Sequence, residues 1–316
     1  MDQKVTTVKI ADGPPFRKRT PPFNAYIGMS LATVLWASNS IAVKLTLRQI
    51  PQFATAALRV TLAAAVLAVL HRLNGGRFHF PKRERGNLLK LSLSGVSLSF
   101  LCYTMGLNYT SVSHAVFINA LVPMAVLLIA GMHGLEPITS PKLAGVLLSL
   151  AGALSLALDK TGRHGSGWIG DLLILGSVYW FATFTVGSKK IASVHATLEF
   201  NTFTFLAAAL WFSPLLVVEL VRLPWKEITW LGWSSLLYSS VFGSAGAYLT
   251  YYYSLRLLPA SRVAAFHYLQ PVLATVLGVI IFHDSFTARF VIGAALILAG
   301  LFVARHRWLP GNAKTI

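Results

Sequence analysis

The chain has 316 residues, of which 55% are hydrophobic and only 12% are charged, and its mean hydropathy is +0.64. Ordinary soluble domains carry about 25% charged residues, so this composition excludes a water-soluble globular fold. The formal net charge of +17 does not indicate a nucleic-acid partner, because the basic residues stand in short interruptions between apolar segments.

Ten apolar segments of about 20 residues, the length that crosses a bilayer, follow one another along the chain. They cover residues 24–47, 53–73, 87–107, 113–134, 141–159, 168–189, 198–221, 229–253, 261–283 and 287–306. We therefore predict an all-α integral membrane protein with ten transmembrane helices. The polar stretches 1–22 and 308–316 are expected to be flexible cytoplasmic tails.

The stretch from Tyr103 to Gly152 recurs 148 positions later, from Tyr251 to Gly300, without a gap. A chance register of apolar sequence would not align so many uncommon residues. The matches include Pro123 with Pro271, Glu136 with Asp284, Gly145 with Gly293 and Gly152 with Gly300. This pattern indicates a duplicated half, with repeats at residues 23–160 and 161–307. Because each half has an odd number of segments, the second must enter the membrane from the opposite side, which predicts two inverted five-helix repeats.

The distribution of Lys and Arg predicts the orientation. If the amino end is inside, the cytoplasmic segments hold 19 of these residues and the opposite face holds 7, with Arg59 left inside a segment. Cytoplasmic loops carry an excess of Lys and Arg. We therefore expect a multi-pass protein of the cell (inner) membrane with both termini in the cytoplasm.

Pro123 and Pro271 fall near the middle of segments four and nine and predict helix kinks. A proline in a helix frees the carbonyl four residues earlier, and in hydrocarbon that group needs a polar partner. The two freed carbonyls belong to Asn119 and His267. In inverted halves these residues would bracket a small ligand near the bilayer midplane. The alternative is a pair of packing kinks whose side chains bond to neighbouring helices.

Three other segments carry large or polar side chains at membrane depth. Segment one has Trp36 and Asn39, segment six has Trp180, and segment eight has Tyr248. Tryptophan usually lies at the membrane interfaces, so its presence at mid-depth favours a cavity over lipid contact. The alternative is that these rings fill the core.

Arg59 is the arginine that lies well inside a segment. A guanidinium at this depth needs a carboxylate, a set of carbonyls or an anionic ligand. Glu199 is not expected to be its partner, since the two lie near opposite faces of the membrane. We expect Arg59 to cap carbonyls or to snorkel outward, and contact with a ligand is the alternative.

Several functions are disfavoured by what the sequence lacks. None of its ten acidic residues lies near the middle of a segment, and Cys102 is the single cysteine. The sequence shows no His pair at metal-binding spacing, no phosphate-binding glycine loop and no nucleophile elbow. We therefore predict neither an enzyme nor a cofactor or metal site. Proton coupling is left open, with His267 as a candidate carrier and His114 nearer the outer boundary.

Four features of the second half form a distinctive pattern: Pro259-Ala260-Ser261-Arg262-Val263-Ala264, Tyr268-Leu269-Gln270-Pro271-Val272-Leu273-Ala274, the acid Asp284, and Gly293-Ala294-Ala295-Leu296-Ile297-Leu298-Ala299-Gly300. Together they resemble the second repeat of the EamA family of the drug/metabolite transporter superfamily. In the first half, Leu35-Trp36-Ala37-Ser38-Asn39 stands where the family usually has a Trp-Gly pair, with Ala37 replacing the glycine. The arginine of segment two also resembles a family feature, usually read as structural.

The resemblance implies a secondary transporter that works by alternating access between its two halves. The expected cargo is a small polar or amphipathic metabolite such as an amino acid, moved outward, and the expected partners are this cargo and the lipid bilayer. The candidate substrate-binding residues are Trp36, Asn39, Asn119, Trp180, Tyr248 and His267. One alternative is a carrier of phosphorylated sugars or nucleotide-sugars, which would need cations in the cavity. Another is a membrane scaffold that transports nothing.

Overall fold

The computed structural model describes residues 23–134, 139–157, 167–257 and 287–305, with the single positions Phe266, Gln270, Leu273, Leu277, Ile280 and Ile281. All regular secondary structure in these ranges is helical. The two predicted tails lie outside the described residues, as do Glu136, Asp284 and most of predicted segment nine.

The described ranges form helices numbered here α1 to α9 in chain order. Their bounds are α1 Phe23–Thr46, α2 Gln52–Leu73, α3 Lys82–Tyr109, α4 Val112–Met132, α5 Ser140–Ala157, α6 Gly167–Val194, α7 Thr197–Arg222, α8 230–257 and α9 Ala288–Arg305. Helices α1 to α8 correspond to predicted segments one to eight, and α9 corresponds to segment ten.

Six of the described helices, α1 to α4, α6 and α7, are long and apolar enough to cross a membrane. Shorter apolar stretches, Leu143–Ser155 and Ala288–Gly300, lie in α5 and α9. Helix α8 is rich in serine and tyrosine and is not among the six. A helix satisfies its own backbone hydrogen bonds, as the bilayer interior demands. The chain is thus an all-helical membrane protein with several spans.

Helix α4 is interrupted close to the proline that the sequence pointed to. Its first half ends at Asn119, and its second half begins at Val122 with Pro123 in the first turn. A proline is tolerated there because the first turn of a helix has no internal partner for its N–H groups. The interruption leaves Asn119 at a helix end, close to the centre of the bundle.

Helices α3 and α8 each contain a π-helical segment, at Leu93–Leu98 and Ser239–Gly246. A shift of 148 positions carries the first segment into the second. The segment of α3 packs on α6 and α7, whereas that of α8 packs on α1 and α2. Each half therefore presents its π-helical segment to the first two helices of the other half. Such segments occur frequently at functional sites.

Equivalent glycines in these segments admit side chains from the other half. A Cβ atom at Gly95 would collide with the side chain of Phe184 on α6, and one at Gly243 would collide with the side chain of Asn39 on α1. Phe184 and Asn39 therefore occupy corresponding places. Their separation is 145 positions, so α1 and α6 correspond in a different register from the rest of the repeat.

Helices α5 and α9 cross at a second set of equivalent glycines. A Cβ atom at Gly152 would lie 2.6 Å from the carbonyl oxygen of Gly293, and one at Gly300 would lie 2.5 Å from that of Gly145. Small residues let membrane helices approach closely. The two contacts are equivalent, because a shift of 148 positions relates Gly152 to Gly300 and Gly145 to Gly293.

Candidate functional site

A cavity lies between helices of both halves and encloses about 550 Å³ of space between atoms, its open mouth included. Its lining combines aromatic rings with a few polar groups, which is typical of small-molecule sites. The lining residues are Trp36, Asn39, Arg59, Ser99, Phe100, Tyr103, Asn119, Val122, Ser177, Phe181, Tyr248 and Gln270.

The two halves contribute corresponding positions to the wall. Phe100 and Tyr248 are 148 positions apart, and so are Val122 and Gln270. All four line the cavity. The repeat offset, applied to Tyr248, could have identified Phe100 from the sequence alone.

Of the six candidate residues, the structure brings Trp36, Asn39, Asn119 and Tyr248 together around this cavity. His267 lies outside the described residues, and so does the predicted kink residue Pro271.

Trp180 does not line the cavity, contrary to expectation. The register of α1 and α6 gives the reason, since a separation of 145 positions pairs Trp36 with Phe181. These two rings meet edge to face with centroids 6.3 Å apart. Neighbouring residues on a helix point about 100° apart, so Trp180 is turned away from the cavity and its ring contacts Tyr179 instead.

Aromatic rings form much of the wall around Trp36. Its ring contacts Tyr248 at a centroid distance of 5.9 Å and Tyr251 at 5.1 Å. Tyr248 also contacts Phe100 and Phe205, at 5.7 and 5.1 Å. Tilted and edge-on contacts of this kind are favourable and fix ring orientation. The apolar part of the wall is therefore well ordered.

Arg59 on α2 also lies in the wall and is 4% exposed. Its Nε donates a hydrogen bond to Oγ of Ser244 at 2.8 Å, and its Cζ lies 4.4 Å from the centroid of the Phe100 ring. The expectation that Arg59 caps carbonyls or snorkels outward was wrong. The π-helical segment of α8 brings a hydroxyl group to it inside the bundle, so the guanidinium stays at the cavity.

These contacts offset only part of the cost of burying the charge. Removing an ion from water costs several kcal/mol even after relaxation. A cation–π contact returns about 0.5–2 kcal/mol and a hydrogen bond to a charged group about 1.5–3 kcal/mol. Glu199 does not contribute, since it accepts a hydrogen bond from the backbone N–H of His79.

The same π-helical segment orients Asn39. Oγ of Ser239 donates to Oδ1 of Asn39 at 2.8 Å, and Oγ of Ser244 donates to the carbonyl of Ser239 at the same distance. Arg59 and Asn39 are therefore linked through one segment of the other half.

Asn119 differs from these residues, because its side chain has no hydrogen-bond partner among the described residues. An amide that faces a cavity without a partner can bond to a ligand or to water. Tyr103, in contrast, shares a 2.7 Å hydrogen bond with Ser40.

A second polar cluster joins the halves away from the cavity. Asp171 on α6 accepts a hydrogen bond from Oγ1 of Thr110 at 2.6 Å, and its other oxygen lies 3.4 Å from Nδ1 of His114 on α4. The ring of His114 stacks on Phe290 of α9, with centroids 5.5 Å apart. Asp171 is buried in the second turn of its helix.

Comparisons with known proteins agree with the geometry. The model of the EamA-like transporter family matches residues 23–158 and 168–305. An uncharacterized transporter of Bacillus subtilis (strain 168), YetK, is 28% identical over 88% of this chain and 86% of its own length. A biotin transporter of Salmonella typhimurium is 26% identical over 90% of this chain and 94% of its own. A solved crystal structure superimposes with a TM-score of 0.64 at 21% identity, covering 89% of this chain and 96% of that one.

Proposed function

This chain belongs to the EamA-like transporter family and is a membrane transporter rather than an enzyme, and we propose that it moves a small metabolite through the cavity by alternating access. The observation that carries the proposal is the cavity between the two halves, whose wall combines aromatic rings, a guanidinium at Arg59 and an amide at Asn119 that has no partner among the described residues. The proposed cargo is an amino acid or a similar amphipathic compound, and the proposed direction is outward.

The proposed architecture is ten transmembrane helices in two inverted five-helix repeats, 23–160 and 161–307. Support comes from the odd number of predicted segments in each half and from the reciprocal contacts at equivalent glycines. Further support comes from the family match, which falls into two stretches. Rocking of one half against the other would open the cavity to each side in turn.

The proposed location is the inner membrane with both termini in the cytoplasm, which the excess of Lys and Arg in the corresponding loops supports. A small organic cargo is supported by the relative named as a biotin transporter. The rings around Trp36 would hold an apolar body, and Asn119 would bond to a polar group on it.

Coupling to protons is part of the proposal, and the His114–Asp171 pair supports it. A buried carboxylate beside an imidazole can hold a proton between two halves that must separate. Two cations lie nearby on neighbouring elements. Lys44 donates to the carbonyl of Thr110 at 2.7 Å, and Arg289 precedes the Phe290 ring that covers His114.

A carrier of phosphorylated sugars is the rival within the same superfamily, and it would need several cations in the cavity. Arg59 lines the cavity. Lys44 does not line it in the described part of the chain, and its Nζ donates hydrogen bonds to the carbonyls of Leu107 and Thr110, at 2.6 and 2.7 Å. Lys189 is exposed on α6. A single guanidinium among the described lining residues suits a singly charged cargo better than a phosphate dianion.

The test is a growth screen of cells that lack or overproduce the chain, against amino acids, their analogues and toxic drugs. Compounds to which overproduction gives resistance are then assayed by counterflow in proteoliposomes. We expect saturable counterflow with the intact chain and none with protein-free liposomes. Resistance without counterflow of any such compound would contradict the proposal.

A further inference from the structure

The cation of the cavity wall lacks a counter-ion among the described residues. The carboxylates of the described ion pairs lie elsewhere: Glu84 is with His195, Asp171 with His114, and Glu199 with His79. The described residues that line the cavity include no carboxylate. Because buried charges in membrane proteins are paired or functional, Arg59 is a candidate for a functional role.

The geometry leaves the outer edge of the guanidinium available. Nε is used by Ser244, and the flat face lies over Phe100. Neither terminal nitrogen of Arg59 has a hydrogen-bond partner within the described part of the chain. These two nitrogens form a fork that matches the two oxygens of a carboxylate.

The duplication does not repeat the cation of the cavity wall. Shifts of 145 and 148 positions carry Arg59 to Thr204 and Ala207 on α7, and neither of these residues is charged. A cation at this place is therefore not a requirement of the repeat.

Part of the cavity wall is aromatic. Trp36, Phe181 and Tyr248 form a cluster of rings in mutual edge contact, with centroid distances of 5.9 to 6.3 Å. A ligand that satisfies both parts of the wall needs one anionic end and an apolar body.

We propose that Arg59 binds the carboxylate of the cargo, so that this transporter selects monocarboxylates with an apolar body that rests on the Trp36, Phe181 and Tyr248 rings. This inference rests on the proposed transport function and names the cargo class of the same cavity. Ser244 is then a positioning residue, because it fixes the plane of the guanidinium through Nε.

The test measures binding to the full chain in lipid nanodiscs by isothermal calorimetry. The probes are three acids and their primary amides, which match in shape and differ in charge: phenylacetate and phenylacetamide, hexanoate and hexanamide, indole-3-acetate and indole-3-acetamide. We expect each acid to bind about tenfold more tightly than its amide, the difference made by a charge-assisted contact of about 1.4 kcal/mol.

The variants separate charge recognition from folding. Arg59→Gln should bind acid and amide about equally, while Arg59→Lys should keep part of the preference because it keeps the charge without the fork. Arg222→Gln makes the same chemical change at an exposed site on α7 and should behave as the intact chain does. Monodisperse elution and thermal unfolding of each variant show that the fold persists.

Equal binding of acids and amides by the intact chain, absence of binding across all six probes, or a preference that survives in Arg59→Gln would each overturn the carboxylate site. Transport is measured separately by counterflow in proteoliposomes. If the acids are carried as well by Arg59→Gln as by the intact chain, and no better than their amides, the carboxylate inference fails while the transport function stands. Acid-selective binding without any counterflow would support the carboxylate site and contradict the transport function.

Discussion

The amide of Asn39 on α1 occupies the space that a side chain at Gly243 on α8 would fill. Since Ser239 also donates to Oδ1 of Asn39, one turn of the π-helical segment both admits this side chain and orients it. Asn39 belongs to the first half and the segment to the second. The contact therefore joins the halves at the wall of the cavity.

We expect Gly243→Ala to destabilise the protein, because the new methyl group would meet the Asn39 side chain well inside van der Waals distance. Overpacking of this kind costs about 1–3 kcal/mol. The measurement is the unfolding temperature of the purified protein in detergent. Gly176→Ala on α6 is the matched control, since its methyl group would meet only Sγ of Cys102 at 3.8 Å. An unchanged unfolding temperature for Gly243→Ala would refute the packing described at Asn39.

Asn119→Leu should reduce transport by about tenfold or more and leave membrane insertion intact. The change removes an amide that faces the cavity, and a lost hydrogen bond is worth about 0.5–1.5 kcal/mol, to which the bulk of the branched side chain adds. Counterflow in proteoliposomes provides the measurement. Asn87→Leu, at an exposed position near the start of α3, is the control. If both variants transport as the intact chain does, Asn119 has no place in the site.

Positions 149 and 297 should form a disulfide when both are changed to cysteine in a Cys102→Ala background. Oγ of Ser149 lies 3.2 Å from the carbonyl of Ile297, at the crossing of α5 and α9. Oxidation should give a faster-migrating band on a non-reducing gel. The pair 149 and 291 is the control, because Val291 lies further towards the start of α9 and is largely exposed. Equal cross-linking of both pairs would contradict the crossing.

Asp171→Asn should abolish the acceleration of transport by a pH gradient, because the neutral amide cannot hold the proton that the His114 pair would carry. Initial rates with and without the gradient give the measurement. Glu84→Gln is the control, since Glu84 also pairs with a histidine, His195, at 2.8 Å. A gradient effect that persists in Asp171→Asn would exclude this pair as the coupling site.

The sequence predicts those features that depend on a single residue type, such as an apolar segment or a proline, or on the repeat. The apolar segments predicted helices at the observed places, and Pro123 marked the interruption of α4. Polar or large aromatic side chains at the middle of the membrane favour a cavity over lipid contact. This argument selected Trp36, Asn39, Asn119 and Tyr248, and all four line the cavity.

The features that could not be read depend on local register and on contacts between distant elements. Trp180 and Phe181 differ by one position, and the π-helical contacts that favour Phe181 have no sequence signature. The placement of Arg59 depends on Ser244, which is 185 positions away. The sequence around Arg59 does not indicate which hydroxyl group of the other half will accept its hydrogen bond.

Alternating access requires that the cavity open to each side of the membrane in turn. Its most direct test is the labelling of Ser177→Cys, on the cavity wall, in a Cys102→Ala background with an impermeant thiol reagent added to one side of sealed vesicles. We expect labelling from the inside and from the outside, each slowed by cargo, while labelling of Phe242→Cys on the outer surface of α8 should be insensitive to cargo. Labelling from one side only under every condition, or none from either side, would contradict alternating access through this cavity.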